Sequence, residues 1–320
     1  MKLAVFSYRT DETAYFDKFV EQYNVDAVFT SEAPTLESAG FAKGCDCISI
    51  ITTKVDEKLL DKLKECGVKF ISTRTIGYDH IDIEYAHKIG ISVGNVSYSP
   101  NSVAEYTVML ILMANRKVKH ILERSIGQDY SLKGKQGKEL RNQTVGVIGT
   151  GRIGETVIKN LSGFGAKIIA YDLYEKETVK EMATYVSMDK LFRESDVITM
   201  HTPLTAENHH LINEENIAKM KPGVVIINTA RGALIDTPAF IDGIESGKIG
   251  AAALDVIEDE TNVFYNDFKY APIKNRELAI LMSFPNVTVM PHTAFYTDQA
   301  VSDMVENSIL SCIENCGKIN

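Results

Sequence analysis

The segment Thr144–Gly154, TVGVIGTGRIG, constrains this chain more than any other. Val145, Val147 and Ile148 form a short apolar run, the pattern of a strand buried on both faces. It passes directly into Gly149-Thr-Gly151-Arg-Ile-Gly154, a G-x-G-x-x-G turn, and eighteen residues beyond Gly154 an acid, Asp172, ends a second apolar run, Lys167–Tyr171. Strand, glycine turn, helix, strand and acid make one βαβ unit in which each part has a physical task. Gly149 permits the tight turn. Gly151 has no side chain, so a pyrophosphate can approach the backbone, and Gly154 lets the helix pack closely on the strand. The free N–H groups and partial positive charge of the helix N-terminus suit a diphosphate. Asp172 is placed to accept hydrogen bonds from an adenosine ribose. A glycine turn can also serve only to pack a helix on a sheet; the acid at the right distance argues for a dinucleotide site.

At 320 residues the chain has the length of about two domains. Leu3–Phe6, Ala27–Thr30, Cys47–Ile51 and Phe70–Thr73 read as buried strands, with Glu12–Tyr23 and Asp56–Cys66 as helices. Ser97-Tyr98-Ser-Pro100 breaks this pattern. A long helix follows, for which Ser102-x-x-Glu105 reads as a capping box. Val108, Leu110, Ile111, Leu112 and Met113 surround much of its cylinder, which fits a helix buried between two bodies. From Thr144 six further strands are expected: Val145–Ile148, Lys167–Tyr171, Val197–Met200, Val224–Asn228, Ala251–Val256 and Val287–Met290. A last helix from Asp298 is too short to be a domain and is expected to return to the first one. The expected fold is α/β, with two doubly wound, parallel-sheet, Rossmann-like domains: residues 1–99 with 296–320, and residues 100–295 as the dinucleotide-binding domain. The chain would cross twice, leaving a cleft suited to a substrate.

The net charge of −9 argues against a nucleic-acid partner. The apolar and charged fractions, 45% and 24%, are those of an ordinary soluble protein, and a cytoplasmic location is expected. MKLAVFSYRTDE meets charge too early for a signal peptide, and the longest apolar run, Val108–Ala114, is too short to span a bilayer. Cys45, Cys47, Cys66, Cys312 and Cys316 are scattered, without the paired spacing of a zinc site; reduced thiols and no metal are expected.

Three segments carry candidate chemistry. Arg231 follows the apolar run Val224–Asn228 and precedes a glycine, at a strand end where ligands bind in an open parallel sheet. Its planar fork suits a carboxylate, although an arginine in a surface ion pair would look the same. Asp255, Glu258, Asp259 and Glu260 leave the next strand, and such an acidic run is often only a solvated loop. His292 follows the last strand, in Pro291-His-Thr-Ala-Phe-Tyr296. The conjunction of arginine, acid and histidine beside a nucleotide loop weighs more than any one of them. His80, His87, His120, His209 and His210 have no such setting, whereas His201, just past a strand end, is placed to line the cofactor cleft.

With these motifs the chain resembles the D-isomer-specific 2-hydroxyacid dehydrogenases. The likeness spans the glycine loop with Asp172, Asn228-Thr-Ala-Arg-Gly232, Asp255-Val-Ile-Glu-Asp-Glu260 and Pro291-His-Thr-Ala-Phe-Tyr296. Ser72–Asp82 looks like the family's substrate loop and Val96–Asn101 like its first hinge. Thr261, where many phosphoglycerate and glycerate relatives have proline, and the long segment Val263–Ser283 point to the D-lactate dehydrogenase branch, which includes the vancomycin-resistance type.

The resemblance implies an NAD-dependent enzyme that reduces a 2-oxo acid to the D-2-hydroxy acid, with pyruvate as the expected substrate. It implies that Arg231 binds the substrate carboxylate and that His292 is the general acid–base. Spacing does not choose among the acids of the Glu258–Glu260 loop; only the resemblance selects Glu260 as the partner of His292. Gly149, Gly151, Arg152, Ile153, Gly154, Asp172, Thr202, Pro203, Asn208, Thr229, Ala230 and Asp255 fall at cofactor positions. Ile76, Gly77, Tyr98, Phe295 and Tyr296 fall at substrate positions, and the three aromatics suggest a small pocket. The family also implies a homodimer, with Ser102–Arg116 as its face. The alternatives are a dehydrogenase for larger side chains, of the 2-hydroxyisocaproate or phenyllactate type, and an NAD-responsive scaffold like the family's co-repressors. A formate dehydrogenase is disfavoured, because that branch has glutamine where Glu260 stands.

Overall fold

The computed structural model describes residues 1–261 and 263–316. The chain forms two compact units, Met1–Ser99 together with the segment from Tyr296 onward, and Pro100–Phe295. Residues 317–320 of the expected first domain lie outside the described residues.

The first unit is built on a five-stranded parallel sheet. Its strands are β1 (Lys2–Val5), β2 (Asp26–Phe29), β3 (Cys47–Ile50), β4 (Phe70–Thr73) and β5 (Ser92–Asn95), in the order β2-β1-β3-β4-β5. Successive residues of a strand face opposite sides, and both sides are apolar here, as a parallel sheet covered by helices requires. Leu3, Val5, Cys47 and Phe70 pack against Phe16 and Phe19 of helix Thr13–Tyr23 and against Val305 and Ile309 of helix Asp298–Cys316. Ala4, Phe6, Ile48, Ile50 and Ile71 face the other way, onto Leu59, Leu60 and Leu63 of helix Glu57–Glu65. That helix begins where the Asp56 side chain accepts the Leu59 N–H at 3.1 Å.

The second unit carries a seven-stranded parallel sheet. It comprises β6 (Thr144–Ile148), β7 (Lys167–Tyr171), β8 (Thr184–Tyr185), β9 (Val197–Met200), β10 (Val224–Asn228), β11 (Ile249–Leu254) and β12 (Val287–Val289). The order β12-β11-β10-β9-β6-β7-β8 reverses direction between β6 and β9. The carboxyl ends of these two strands therefore flank the topological switch point where a doubly wound sheet binds nucleotide. One face packs Val145, Val147, Val225 and Ile227 against Leu110 and Ile111 of helix Asn101–Asn115 and Val157, Ile158 and Leu161 of helix Arg152–Ser162. The other packs Ile148, Met200, Ile226 and Leu254 against Phe240 and Leu281.

Two expectations are corrected. Helix Asn101–Asn115 starts from Pro100, already helical at φ −67° and ψ −14°, so Ser102 lies within the first turn and does not cap it. The sheets also gain β5 and β8, whose sequences hold too few apolar residues to announce a strand. Gly94 is what lets β5 lie beside β4, since a Cβ there would come within 2.7 Å of the Phe70 ring.

Candidate active site

Gly149 follows β6 at φ +89°, a conformation glycine adopts without strain, and a Cβ on it would sit 2.7 Å from the His201 backbone. Helix Arg152–Ser162 starts at Gly151, where a Cβ would meet nothing within 4 Å. A Cβ on Gly154 would stand 1.9 Å from the Gly149 carbonyl oxygen. One glycine thus leaves open space before the helix N-terminus, and the other closes the helix onto the loop. Asp172, at the end of β7, accepts the Thr150 N–H at 2.5 Å and the Tyr174 N–H at 3.0 Å. Burial pushes its carboxyl up, but the Tyr174 and Thr150 donors outweigh that and hold it below the usual carboxylate range. An open cradle at a helix N-terminus with an ionised acid beside it fits a dinucleotide with a free 2′-hydroxyl.

The wall of this cradle comes from the loop after β9. Asn208 donates to the Pro203 carbonyl at 2.7 Å and accepts the Thr205 N–H at 2.7 Å, which folds Thr202–Asn208 into a closed turn. His201 bonds Thr199 Oγ1 through Nε2 at 3.0 Å; its Nδ1 is buried with no hydrogen-bond partner among the described residues. Burial pushes this imidazole down to about 3, so it is neutral at ordinary pH. Arg152 and Ile153 form the first turn of the helix, with Ile153 packed on the core.

Beyond β10, the fully buried Asn228 side chain accepts the Ala230 N–H at 3.0 Å and donates to the Arg231 carbonyl at 2.8 Å. This folds Thr229–Arg231 into a tight loop, and Thr229 Oγ1 meets Thr107 Oγ1 at 2.9 Å. Arg231 Nη1 donates to the Ala230 carbonyl at 2.8 Å. A Cβ on Gly232 would fall 2.0 Å from the Ile257 backbone, so glycine alone lets the arginine loop lie on the loop after β11.

That second loop sorts its acids. Asp255 is wholly buried, and its carboxylate accepts the Thr293 and Ala294 N–H groups, both at 2.9 Å, while its carbonyl accepts the His292 N–H at 2.8 Å. Burial raises the Asp255 carboxyl, against the opposing pull of the Ala294 and Thr293 donors. These bonds hold His292 at φ +53°, in the left-handed region. Glu260 Oε1 lies 2.6 Å from His292 Nδ1, and Glu260 Oε2 accepts the Ile257 N–H at 3.2 Å. Glu258 turns instead to His210, 2.7 Å away, and Asp259 is exposed. The Tyr265 hydroxyl donates to the His292 carbonyl at 2.8 Å, and the Phe295 ring stands edge-on to the imidazole with centroids 6.4 Å apart. Arg231, Glu260, His292 and Asp255 are thus held by loops that close on one another at the strand ends of a single sheet.

Ile76, Gly77, Tyr98 and Tyr296 belong to the first unit. The carbonyls of Ile76 and Gly77 are taken by Asn95 Nδ2 at 2.7 Å and Thr75 Oγ1 at 2.6 Å. Arg74, fully buried, anchors this loop through Glu12 at 3.0 Å, Ser49 at 2.9 Å and the Phe6 carbonyl at 3.1 Å. Tyr98 is half-buried in the loop after β5. Tyr296 hydrogen-bonds Asp11, and the Arg9 guanidinium lies 5.8 Å from its ring centroid. In the second unit Tyr106 also reaches the His292 loop, its hydroxyl meeting Thr293 Oγ1 at 3.0 Å, although a tyrosine inside an apolar helix carries no sequence signal of its own.

Residues 108–294 match the family model for the NAD-binding domain of the D-isomer-specific 2-hydroxyacid dehydrogenases. An aromatic 2-oxoacid reductase of Clostridium sporogenes is 49% identical over 319 residues, covering 98% of this chain and 96% of its own. Among solved structures, a D-lactate dehydrogenase from Treponema pallidum superposes with a TM-score of 0.88 at 37% identity, covering 98% of this chain and 96% of its own. A D-2-hydroxyisocaproate dehydrogenase superposes with a TM-score of 0.89 at 37% identity, covering 100% and 98%. With a nucleotide cradle, two parallel sheets and this kinship along nearly its whole length, the chain belongs to the NAD-dependent D-isomer-specific 2-hydroxyacid dehydrogenases.

Proposed function

We propose that this dehydrogenase reduces 2-oxo acids with bulky, including aromatic, side chains to their D-2-hydroxy acids, and that pyruvate is a poorer substrate. The observation that carries the reaction is the 2.6 Å contact between Glu260 and His292, a base–orienter pair with the imidazole Nε2 left for substrate. The protonated imidazole gives its Nε2 proton to the oxygen of the keto group as that oxygen gains charge, and Glu260, accepting from Nδ1, keeps the ring turned for that transfer. Arg231 binds the substrate carboxylate through its planar fork and fixes the keto group for attack. NADH, when bound, supplies the hydride to the keto carbon. In the first unit the loop after β4 carries the Ile76 and Gly77 amides that this reading assigns to substrate binding.

The side-chain preference rests on the identity of 49% with an aromatic 2-oxoacid reductase, against 37% for the D-lactate dehydrogenase. It departs from the small pocket expected from Tyr98, Phe295 and Tyr296. In support, Tyr296 is engaged by Asp11 and Arg9 of its own unit. Steady-state kcat/KM values for pyruvate, 2-oxoisocaproate and phenylpyruvate with NADH test this, with chiral analysis of the product. Phenylpyruvate is expected to lead; a clear lead for pyruvate would make the enzyme a D-lactate dehydrogenase. No turnover of any of the three would favour a scaffold role.

The reading includes a homodimer. Leu122 and Ile126 of helix Val118–Ile126, with Tyr130 and Leu132 beyond it, are between 58% and 89% exposed, a run of apolar surface suited to a second copy. Sedimentation equilibrium should give twice the chain mass. A cytoplasmic location accords with five free thiols, and among the described residues no helix is long and apolar enough to cross a membrane.

A further inference from the structure

We propose that His209, His210 and Glu258 form a binding site for one divalent transition-metal ion of the zinc type. The site lies on the second unit and is separate from the His292–Glu260 pair.

Three backbone segments build it. His210 sits at φ +54°, fixed by its N–H bond to the Ala233 carbonyl at 2.9 Å, and the following Ile212 bridges to Ile235. Glu258 follows Ile257, on whose backbone Gly232 closes. The segment 231–235 thus ties the histidine loop to the glutamate loop, so the donors are positioned before any ion arrives. The Thr237 hydroxyl donates to Glu258 Oε2 at 3.3 Å, the outer-sphere support that a ligating carboxylate requires.

The donor set is chemically selective. Two imidazole nitrogens and one carboxylate oxygen suit Zn²⁺, Ni²⁺ or Cu²⁺ and not Mg²⁺ or Ca²⁺, which demand oxygen. Three protein donors leave one position of a tetrahedron for water. The three ligand atoms lie within 4.8 Å of one another. Donors on a tetrahedron with zinc bond lengths stand about 3.4 Å apart, so small side-chain rotations complete the site. Glu258 Oε1 is already 2.7 Å from His210 Nε2. An ion pair needs only one imidazole, yet the exposed His209 ring lies alongside His210 with centroids 3.9 Å apart. A shared ion uses both rings and the carboxylate.

The test uses tag-free, reduced, full-length protein and Zn²⁺ in competition with a chromophoric chelator. One equivalent is expected to bind. His209→Gln, at an exposed ring that folding does not need, should weaken it by about tenfold or more, and Glu258→Gln should do likewise. His292→Asn should leave the affinity unchanged. Co²⁺ in place of Zn²⁺ should give ligand-field bands without thiolate charge transfer. The proposal is overturned if wild type binds no ion, if affinity survives both His209→Gln and His210→Gln, if His292→Asn abolishes it, or if the Co²⁺ spectrum reports cysteine ligands.

Discussion

Glu260 Oε1 stands 2.6 Å from His292 Nδ1, and Glu260 Oε2 is held by the Ile257 N–H at 3.2 Å. A carboxylate held at both oxygens keeps the ring nitrogen it faces a donor, which leaves Nε2 as the proton carrier of the proposed reaction.

Glu260→Gln therefore tests the pair directly. The carboxylate can only accept from Nδ1 and so fixes the ring, whereas an amide can turn its NH2 group to that nitrogen and favour the other tautomer. Reduction and hydroxy-acid oxidation should both drop by about tenfold or more in kcat/KM, with NADH affinity little changed. Unaltered kcat/KM in both directions would remove Glu260 from this role. Glu258→Gln, whose carboxylate pairs with His210, should leave both rates in place.

The two helix-facing glycines should fail in different ways. Gly151→Ala puts a methyl group into open space before the helix N-terminus, so the melting temperature should hold while the Kd for NADH rises. Gly154→Ala drives a methyl group to 1.9 Å from the Gly149 carbonyl, and should cost about 1–3 kcal/mol of stability. Thermal melts beside NADH titrations separate the two. A destabilised Gly151→Ala would show that this glycine serves packing.

Cofactor choice follows from Asp172. Its carboxylate is held in the charged form by Thr150 and Tyr174, and would repel a 2′-phosphate. NADH should exceed NADPH in kcat/KM by about tenfold to a hundredfold, the worth of a hydrogen bond to a charged group. Asp172→Asn should narrow the gap, and equal values in wild type would remove Asp172 from this role.

Arg231→Lys keeps the charge and loses the fork. The loss in transition-state binding should be about 3 kcal/mol, seen as a higher KM and lower kcat for the 2-oxo acid. NADH affinity should change little. Unaltered kinetics would return Arg231 to a structural role, in which Nη1 donates to the Ala230 carbonyl at 2.8 Å.

His201 makes stability depend on acid. Its folded value of about 3 lies below the 6.5 of a free imidazole, so between these limits the unfolded chain binds more protons. The stability linked to the neutral ring is complete above about pH 6.5 and is lost as pH falls toward 3. His201→Asn should therefore flatten the decline of melting temperature with falling pH below 6.5 relative to wild type.

Much of the fold was legible because central parallel strands are apolar on both faces. Phe70–Thr73, Lys167–Tyr171, Val197–Met200 and Val224–Asn228 stand in the structure as the apolar runs mark them. The edge strands β5 and β8 were not legible, since SVGN and TY hold one aliphatic residue and none, whereas the edge strands β2 and β12 carry enough to mark them. Ser92 and Thr184 are exposed and carry no hydrophobic signal. In the site, the glycine loop and Arg231 follow from strand-end logic. The choice between Glu258 and Glu260 does not, because it turns on Asp259 at φ +54°, a conformation no spacing encodes. The pairing of His210 with Glu258, 48 residues apart, was equally silent.

Helix Asp298–Cys316 supplies Val305, Ile309 and Cys312 to the cluster that covers Leu3, Val5 and Phe70. During synthesis this helix, which together with helix Thr13–Tyr23 covers one side of their sheet, leaves the ribosome well after those strands. The segment Pro100–Phe295 has by then emerged complete, with every strand of its own sheet. The usual vectorial order, N-terminal body first, is thereby inverted. Until helix Asp298–Cys316 emerges, helix Thr13–Tyr23 alone covers this face of the sheet, and part of its apolar surface stays open to solvent.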